Sequence, residues 1–175
     1  MSNRVNLGLG DVLRADSVKR WQIVDILKDQ SLAEHTYGVA MIAIELAKRL
    51  GADQSRALFA AVLHDMPEVI TGDIPTPVKE VLAVRDRIDE IEKEIYFSGV
   101  NLNTFEDVAH IVKQADLLES CWFLRHRRGL GPHPTSVYNK LVDRLRQYPT
   151  AFALWLELCV HVPVEIDEVY NAKKA

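Results

Sequence analysis

The chain has 175 residues, enough for one domain that buries a core without disulfide or metal staples. Hydrophobic residues make up 48% and charged residues 26%, an ordinary balance for a soluble globular protein. A formal net charge of −4 excludes whole-chain attraction to nucleic acid, so an anionic substrate would need local cations or a metal ion.

Helical periodicity recurs along the chain and strand patterning is poor, so the expected class is all-α. A short helix is expected over 12–16. Ser31-Leu32-Ala33-Glu34 reads as a capping box, with Ser31 as N-cap and Glu34 reaching back. The helix behind it carries Val39, Ile42 and Leu46 on one face and stops at Gly51. His35 stands four residues before Val39, on the core-facing stripe. Asp53 is placed to cap the next helix, which runs to about Leu63 through a core-like stretch, 57–63.

Thr71-Gly72-Asp73-Ile74-Pro75-Thr76-Pro77 reads as a rigid loop. A single helix is expected over 78–96, with a solvated charged face from Asp86 to Glu94. Ser98-Gly99 breaks it, a further helix is expected over 104–128, and Gly129 to Pro134 reads as a loop. One or two helices should cover 136–160, their Phe152, Leu154, Trp155 and Leu158 mostly core with a share in a subunit interface. The domain expected is 1–175 throughout. Cys121 and Cys159 fit no metal or redox spacing and read as buried reduced thiols. No apolar run reaches the roughly 20 residues that span a bilayer, and no export-type segment opens the chain, so the cytoplasm is the expected compartment.

The chemically informative residues sit where a core helix has no use for them. His64-Asp65 ends the apolar stretch 57–63, and a buried imidazole and carboxylate need partners. His35 lies upstream and Asp116 downstream, on separate helices that a bundle can converge. A lone histidine on an apolar stripe is ordinarily a satisfied core residue; the joint set of two imidazoles and two carboxylates instead suits one divalent ion. Zn²⁺, Mn²⁺, Co²⁺ and Fe²⁺ all fit such ligands. Glu68 follows Asp65 by three residues, so a helical turn can aim it at the same place.

His35, His64-Asp65 and Asp116 resemble the H…HD…D ligand set of the HD-domain phosphohydrolases. The run from His64 through Glu68, Thr71-Gly72-Asp73 and Pro75-Thr76-Pro77-Val78 to Lys79 is similar to the HDxxEVxTGDxPTPVK run of the YfbR-like 5'-deoxynucleotidases. Ala33-Glu34-His35-Thr36, Val112-Lys113-Gln114-Ala115-Asp116 and Arg20-Trp21 resemble other segments of that group, so the likeness covers about 18–120. It implies a single HD-domain helical bundle, with His35, His64, Asp65 and Asp116 as metal ligands. Glu68 would orient or deprotonate the attacking water. Asp73 would share that role or bind a second ion, Mg²⁺ among the possibilities. Arg20 and Lys79 would hold phosphate, and Trp21 would stack on the base.

The short chain and Trp21-Gln22-Ile23 most resemble the phage DatZ-like dATP triphosphohydrolases of genomes that carry 2-aminoadenine. That likeness implies hydrolysis of dATP to deoxyadenosine and triphosphate, which depletes dATP so that 2-aminoadenine replaces adenine in phage DNA. Trp21, Ile23 and Pro77 would form the adenine pocket, with Ile23 excluding a 2-amino group by clash. A 5'-deoxynucleotidase acting on deoxynucleoside monophosphates is the alternative. A non-catalytic HD binding module is disfavoured because all four ligands are present, and no GYP motif suggests a cyclic-dinucleotide phosphodiesterase. The expected partners are a deoxynucleotide and further copies of the chain, in a homo-oligomer and specifically a ring-like hexamer, with no membrane and no nucleic acid. Arg125-His126-Arg127-Arg128 reads as the cationic last turn of a helix, or else as an attractor for triphosphate. His110, His126, His133 and His161 match no ligand position.

Overall fold

A computed structural model of the chain describes residues 5–161, so the ends of the expected 1–175 domain lie outside the described residues. In chain order the elements are β1 (Val5–Leu7), α1 (Leu9–Val12), a 3-10 turn (Leu13–Asp16), α2 (Leu32–Leu50), α3 (Gln54–Leu63), α4 (Glu68–Thr71) and α5 (Thr76–Val81). There follow α6 (Arg85–Lys93), β2 (Ile95–Phe97), a 3-10 segment (Leu102–Val108), α7 (Ala109–Arg127), α8 (Pro132–Leu145) and α9 (Pro149–His161). The described chain is a helical bundle with one two-stranded parallel pair, Val5 opposite Ile95 and Leu7 opposite Phe97.

Local chemistry sets the two helices that matter most. Ser31 is extended; its Oγ accepts from Glu34 N at 3.1 Å, and Glu34 Oε2 accepts from Ser31 N at 2.9 Å, so the expected capping box forms. Gly51 closes α2 at φ 68°, a left-handed turn that a side chain would strain. Asp53 caps α3 by accepting from Arg56 N at 3.0 Å. On α2, Leu32, His35, Val39, Ala43 and Leu46 are buried at helical spacing. Small residues Ala57, Ala60 and Ala61 let α3 approach α2, while α7 packs on α2, α3 and α8. Each fully buried leucine here, such as Leu46, Leu118 and Leu124, contributes roughly 1.5–3 kcal/mol.

Several boundaries depart from the sequence reading. The helix expected over 78–96 is two helices, split where Ala83 adopts φ 52°. Tyr96 belongs to β2, because β1 supplies a hydrogen-bonding edge that local periodicity cannot reveal. Ser98 and Gly99, both at positive φ, turn the chain back so that Phe97 and Val100 exchange backbone hydrogen bonds at 2.9 Å. Pro132 starts α8 instead of continuing a loop, since a first-turn proline has no intrahelical N–H to lose. Phe59 and Val62 are exposed, so α3 is not core on all sides. Leu154 and Trp155 are buried, with Phe152 and Leu158 packed at the margin of the same cluster. Cys121 and Cys159 are free thiols; Cys121 is buried, which pushes its pKa up to about 12 and keeps it protonated. Among the described residues no helix is long and apolar enough to cross a membrane.

Candidate metal centre

Three helices and one turn deliver the expected ligands. His35 sits in the first full turn of α2, His64 is the residue that ends α3, Asp65 follows in the turn 64–67, and Asp116 lies midway along α7. One nitrogen each of His35 and His64 and an oxygen of Asp116 lie within 4.8 Å of one another. Asp65 Oδ2 lies 3.5 Å from His35 Nε2 and 3.2 Å from His64 Nε2, and Asp116 Oδ1 lies 3.3 Å from His35 Nε2. The four expected ligands therefore converge.

The hydrogen bonds behind the rings say which nitrogen faces the site. His64 Nδ1 lies 2.6 Å from the Ala61 carbonyl, and His35 Nδ1 lies 2.5 Å from Glu119 Oε2. A carbonyl and a carboxylate can only accept, so each Nδ1 carries the proton. Both Nε2 atoms are buried without a hydrogen-bond partner, although carboxylate oxygens stand close. A neutral imidazole offers only a lone pair there, and a lone pair cannot bond a carboxylate. The pair needs a cation between them, either protons on the rings or a metal ion. Without an ion the rings take the proton. Burial and the Arg20 guanidinium oppose a charged His35, yet the adjacent carboxylates of Asp116, Asp65 and Glu119 hold its pKa well above the ordinary value. Burial opposes charge on His64 too, but Asp65 and Asp116 together raise its pKa. Burial acts to raise Asp65, but His64 and His35 hold it well below the usual carboxylate range. Two imidazoles with buried, orphaned Nε2 atoms beside two carboxylates fit a divalent ion, since metal binding releases such protons.

Arg20 reaches into the same cluster. Its Nη1 donates to Asp65 Oδ2 at 3.0 Å, its Nη2 lies 4.0 Å from Asp116 Oδ1, and its Nε is buried without a partner. Glu68, the first residue of α4, is buried, and its Oε2 has no partner. Burial first, and then the Asp65 and Asp73 charges, push the Glu68 pKa up to about 9 against the opposing pull of Arg20 and Lys79. Asp73 and Lys79 thus lie within electrostatic reach of Glu68, as expected of neighbours in one site.

The residues expected to face the base lie on two segments that meet. Trp21 holds φ 62°, a conformation that costs a non-glycine residue roughly 1–3 kcal/mol. Its ring stacks on Phe123 at 5.9 Å and 4°. Gln22 Nε2 donates to the Asp73 carbonyl at 3.0 Å, tying this turn to the loop before α5. Ile23 is 49% exposed, so it is not a core residue, and Pro77 is exposed near the start of α5. The Arg125–Arg128 run behaves as a helix end: Arg128 Nη1 donates to the Leu124 and Arg125 carbonyls at 3.2 and 3.1 Å. His110, His133 and His161 are exposed.

Two residues escaped the sequence reading. Gln30 and Glu119 are buried polar groups directly behind His35. A signal existed for Glu119: it stands three residues after Asp116, among Leu117, Leu118 and Cys121, where an unpaired carboxylate would be as anomalous as His64-Asp65.

Residues 10–97 match the family described as 5'-deoxynucleotidase YfbR-like. A dATP triphosphohydrolase of Salmonella phage PMBT28 is 34% identical over 91% of this chain and 87% of its own length. A 5'-deoxynucleotidase of Vibrio cholerae is 30% identical over 74% of this chain and 79% of its own length. Among solved structures, the cyanophage S-2L HD phosphohydrolase DatZ, bound to dA and one catalytic Zn²⁺ ion, superposes with a TM-score of 0.77. That match covers 91% of this chain and 99% of the other, at 23% identity.

Proposed function

The chain belongs to the YfbR-like 5'-deoxynucleotidase family, and on that premise we propose that it is a metal-dependent dATP triphosphohydrolase. Water attacks the α-phosphorus of dATP, the bond to O5' breaks, and deoxyadenosine and triphosphate leave. Depleting dATP in this way would let 2-aminoadenine replace adenine in phage DNA. The observation that carries the chemistry is the pair of buried Nε2 atoms, each fixed from behind at Nδ1, with Asp65 beside both and Asp116 beside that of His35. The likeness to the phage enzyme over 91% of this chain supports the substrate.

His35, His64, Asp65 and Asp116 would hold the ion. When bound, a divalent ion supplies Lewis acidity for the phosphate oxygens and acidifies water near neutral pH. Positive charge at the centre favours the carboxylate form of Glu68, which then orients the attacking water or takes its proton. Asp73 shares that role or contributes to a second cation site. Arg20 and Lys79 bind phosphate oxygens, Arg20 as a planar fork and Lys79 as a point charge. Trp21 stacks on the base, and Ile23 with Pro77 closes the adenine pocket, leaving no room for a substituent at C2. We place the enzyme in the cytoplasm and expect a homo-oligomer, for which hexamer is the specific expectation. Exposed Tyr37, Met41, Phe59 and Val62 support a subunit contact, and sizing by light scattering measures it.

The likeness to the Vibrio cholerae enzyme favours one second reading, hydrolysis of deoxynucleoside monophosphates. Incubation with Co²⁺ or Mn²⁺ and each deoxynucleoside mono-, di- and triphosphate, followed by product separation, decides between them. Deoxyadenosine with intact triphosphate from dATP is expected. Orthophosphate from dAMP with dATP untouched selects the second reading, and no turnover with any metal rejects both.

A further inference from the structure

A buried hydrogen-bond chain runs behind the metal centre and ends on the base-side turn. Trp21 Nε1 donates to Gln30 Oε1 at 2.7 Å, and Gln30 Nε2 donates to Glu119 Oε1 at 2.7 Å. The other oxygen of Glu119 receives His35 Nδ1. The direction is fixed by chemistry: an indole N–H can only donate, so it takes the amide oxygen and turns the amide nitrogen toward the carboxylate. Gln30 is 3% exposed, Glu119 5% and His35 0%, so water cannot replace these partners cheaply. The backbone makes room for the arrangement. Gly38 lies one turn beyond His35 on α2, and a Cβ there would stand 2.8 Å from Glu119 Cγ. The turn at the far end is under strain at Trp21 and is pinned by Arg20 N to the Gln30 carbonyl at 3.0 Å.

We propose that Glu119 is a positioning residue with two duties, performed by its two oxygens. One orients His35 so that Nε2 faces the metal; the other, through Gln30, holds the strained turn that presents Arg20 and Trp21 to the nucleotide. Metal grip and base grip then share one buried carboxylate. This inference rests on the metal reading above.

The test uses the full chain and Co²⁺ alone, followed by its visible absorption without nucleotide, beside steady-state kinetics with dATP. Glu119→Gln keeps the shape but leaves one accepting oxygen for two donors. Its Co²⁺ affinity should fall by about 10–100-fold, and its KM for dATP should rise. Gln30→Met cuts only the arm to Trp21. It should raise KM by about threefold to tenfold and keep Co²⁺ affinity within about twofold of the parent, because His35 keeps its carboxylate partner. The exchange variant Gln30→Glu with Glu119→Gln restores every donor and acceptor while moving the charge away from His35. Its KM should return toward the parent value while its Co²⁺ affinity stays reduced.

Parent-like Co²⁺ affinity in Glu119→Gln would overturn the proposal. So would Gln30→Met with unmoved KM, or an exchange variant whose KM is no better than that of Glu119→Gln. Thermal melts check folding; if Glu119→Gln fails to fold, an exchange variant with parent-like Co²⁺ affinity, or Gln30→Met with unmoved KM, still overturns the proposal. A parent chain that binds no Co²⁺ would break the metal reading itself, an outcome distinct from all of these.

Discussion

The rear and the front of the centre are built differently. Behind the imidazoles, α3, α7 and the segment leading into α2 supply a protein partner for each polar atom: the Ala61 carbonyl for His64, Glu119 for His35, and Gln30 for Glu119. In front, the 19–24 turn and the segment from Glu68 to Lys79 present cations and carboxylates held by fewer bonds. Arg20 Nε, Glu68 Oε2 and the two Nε2 atoms are buried and unpartnered there. Buried polar groups are ordinarily satisfied. The difference divides the centre: packed helices hold the imidazoles from behind, while polar atoms at the front, on the 19–24 turn and α4 among others, are left without protein partners.

The largest effect should come from the junction of the two halves. Asp65→Ala removes an anionic ligand and the partner of Arg20 together, and kcat/KM should fall on the order of a thousandfold or more. Retained activity would overturn the metal assignment. Glu68→Gln touches only the front, so kcat should fall by about 100-fold to 10,000-fold while Co²⁺ still binds; a Co²⁺ loss as severe as that of Asp65→Ala would erase the distinction between front and rear.

Glu68 also gives the front a pH signature. A carboxyl raised from 4.5 to about 9 holds a proton in the folded protein that the unfolded chain has already released. Its contribution to ion-free stability is full below the unfolded value and is lost as pH rises toward about 9. His35 and His64, both raised, change in the same direction, so the difference between parent and Glu68→Gln isolates the carboxyl. Melts in chelator across this range should show a shallower decline for Glu68→Gln; parallel curves would refute a raised Glu68. The smallest effect belongs to the rim. Ile23→Ala should move stability by less than about 0.5 kcal/mol, since the side chain is half exposed. Its discrimination against 2-amino-dATP should relax by about tenfold, and unchanged selectivity would remove Ile23 from the pocket.

The helix-borne half was the more legible one. The capping box at Ser31, the cap at Asp53 and the stop at Gly51 are local signals read by hydrogen bonds within a few residues. They fixed α2 and α3, and with them the core-facing place of His35 and the end-of-helix place of His64. Where a partner distant in the chain decided the outcome, local pattern misled. Tyr96 left its helix for a strand because Asn6 lies opposite it. The place of Glu119 was not read from the sequence, because its partners Gln30 and His35 stand 89 and 84 residues away.

By itself the sequence determined the residue types of the candidate ligands, the helices α2, α3 and α7 around them, the all-α class and the motif run from His64 to Lys79. Those properties depend on residue identity and on spacing along one helix or loop. Only the tertiary structure decided that Nε2, rather than Nδ1, of each histidine faces the site. It alone tied Trp21 to His35 through Gln30 and Glu119, residues separated by up to 89 positions. Tautomer, orientation and satisfaction of a buried group depend on which distant atom stands within about 3 Å, and a linear pattern does not contain that distance.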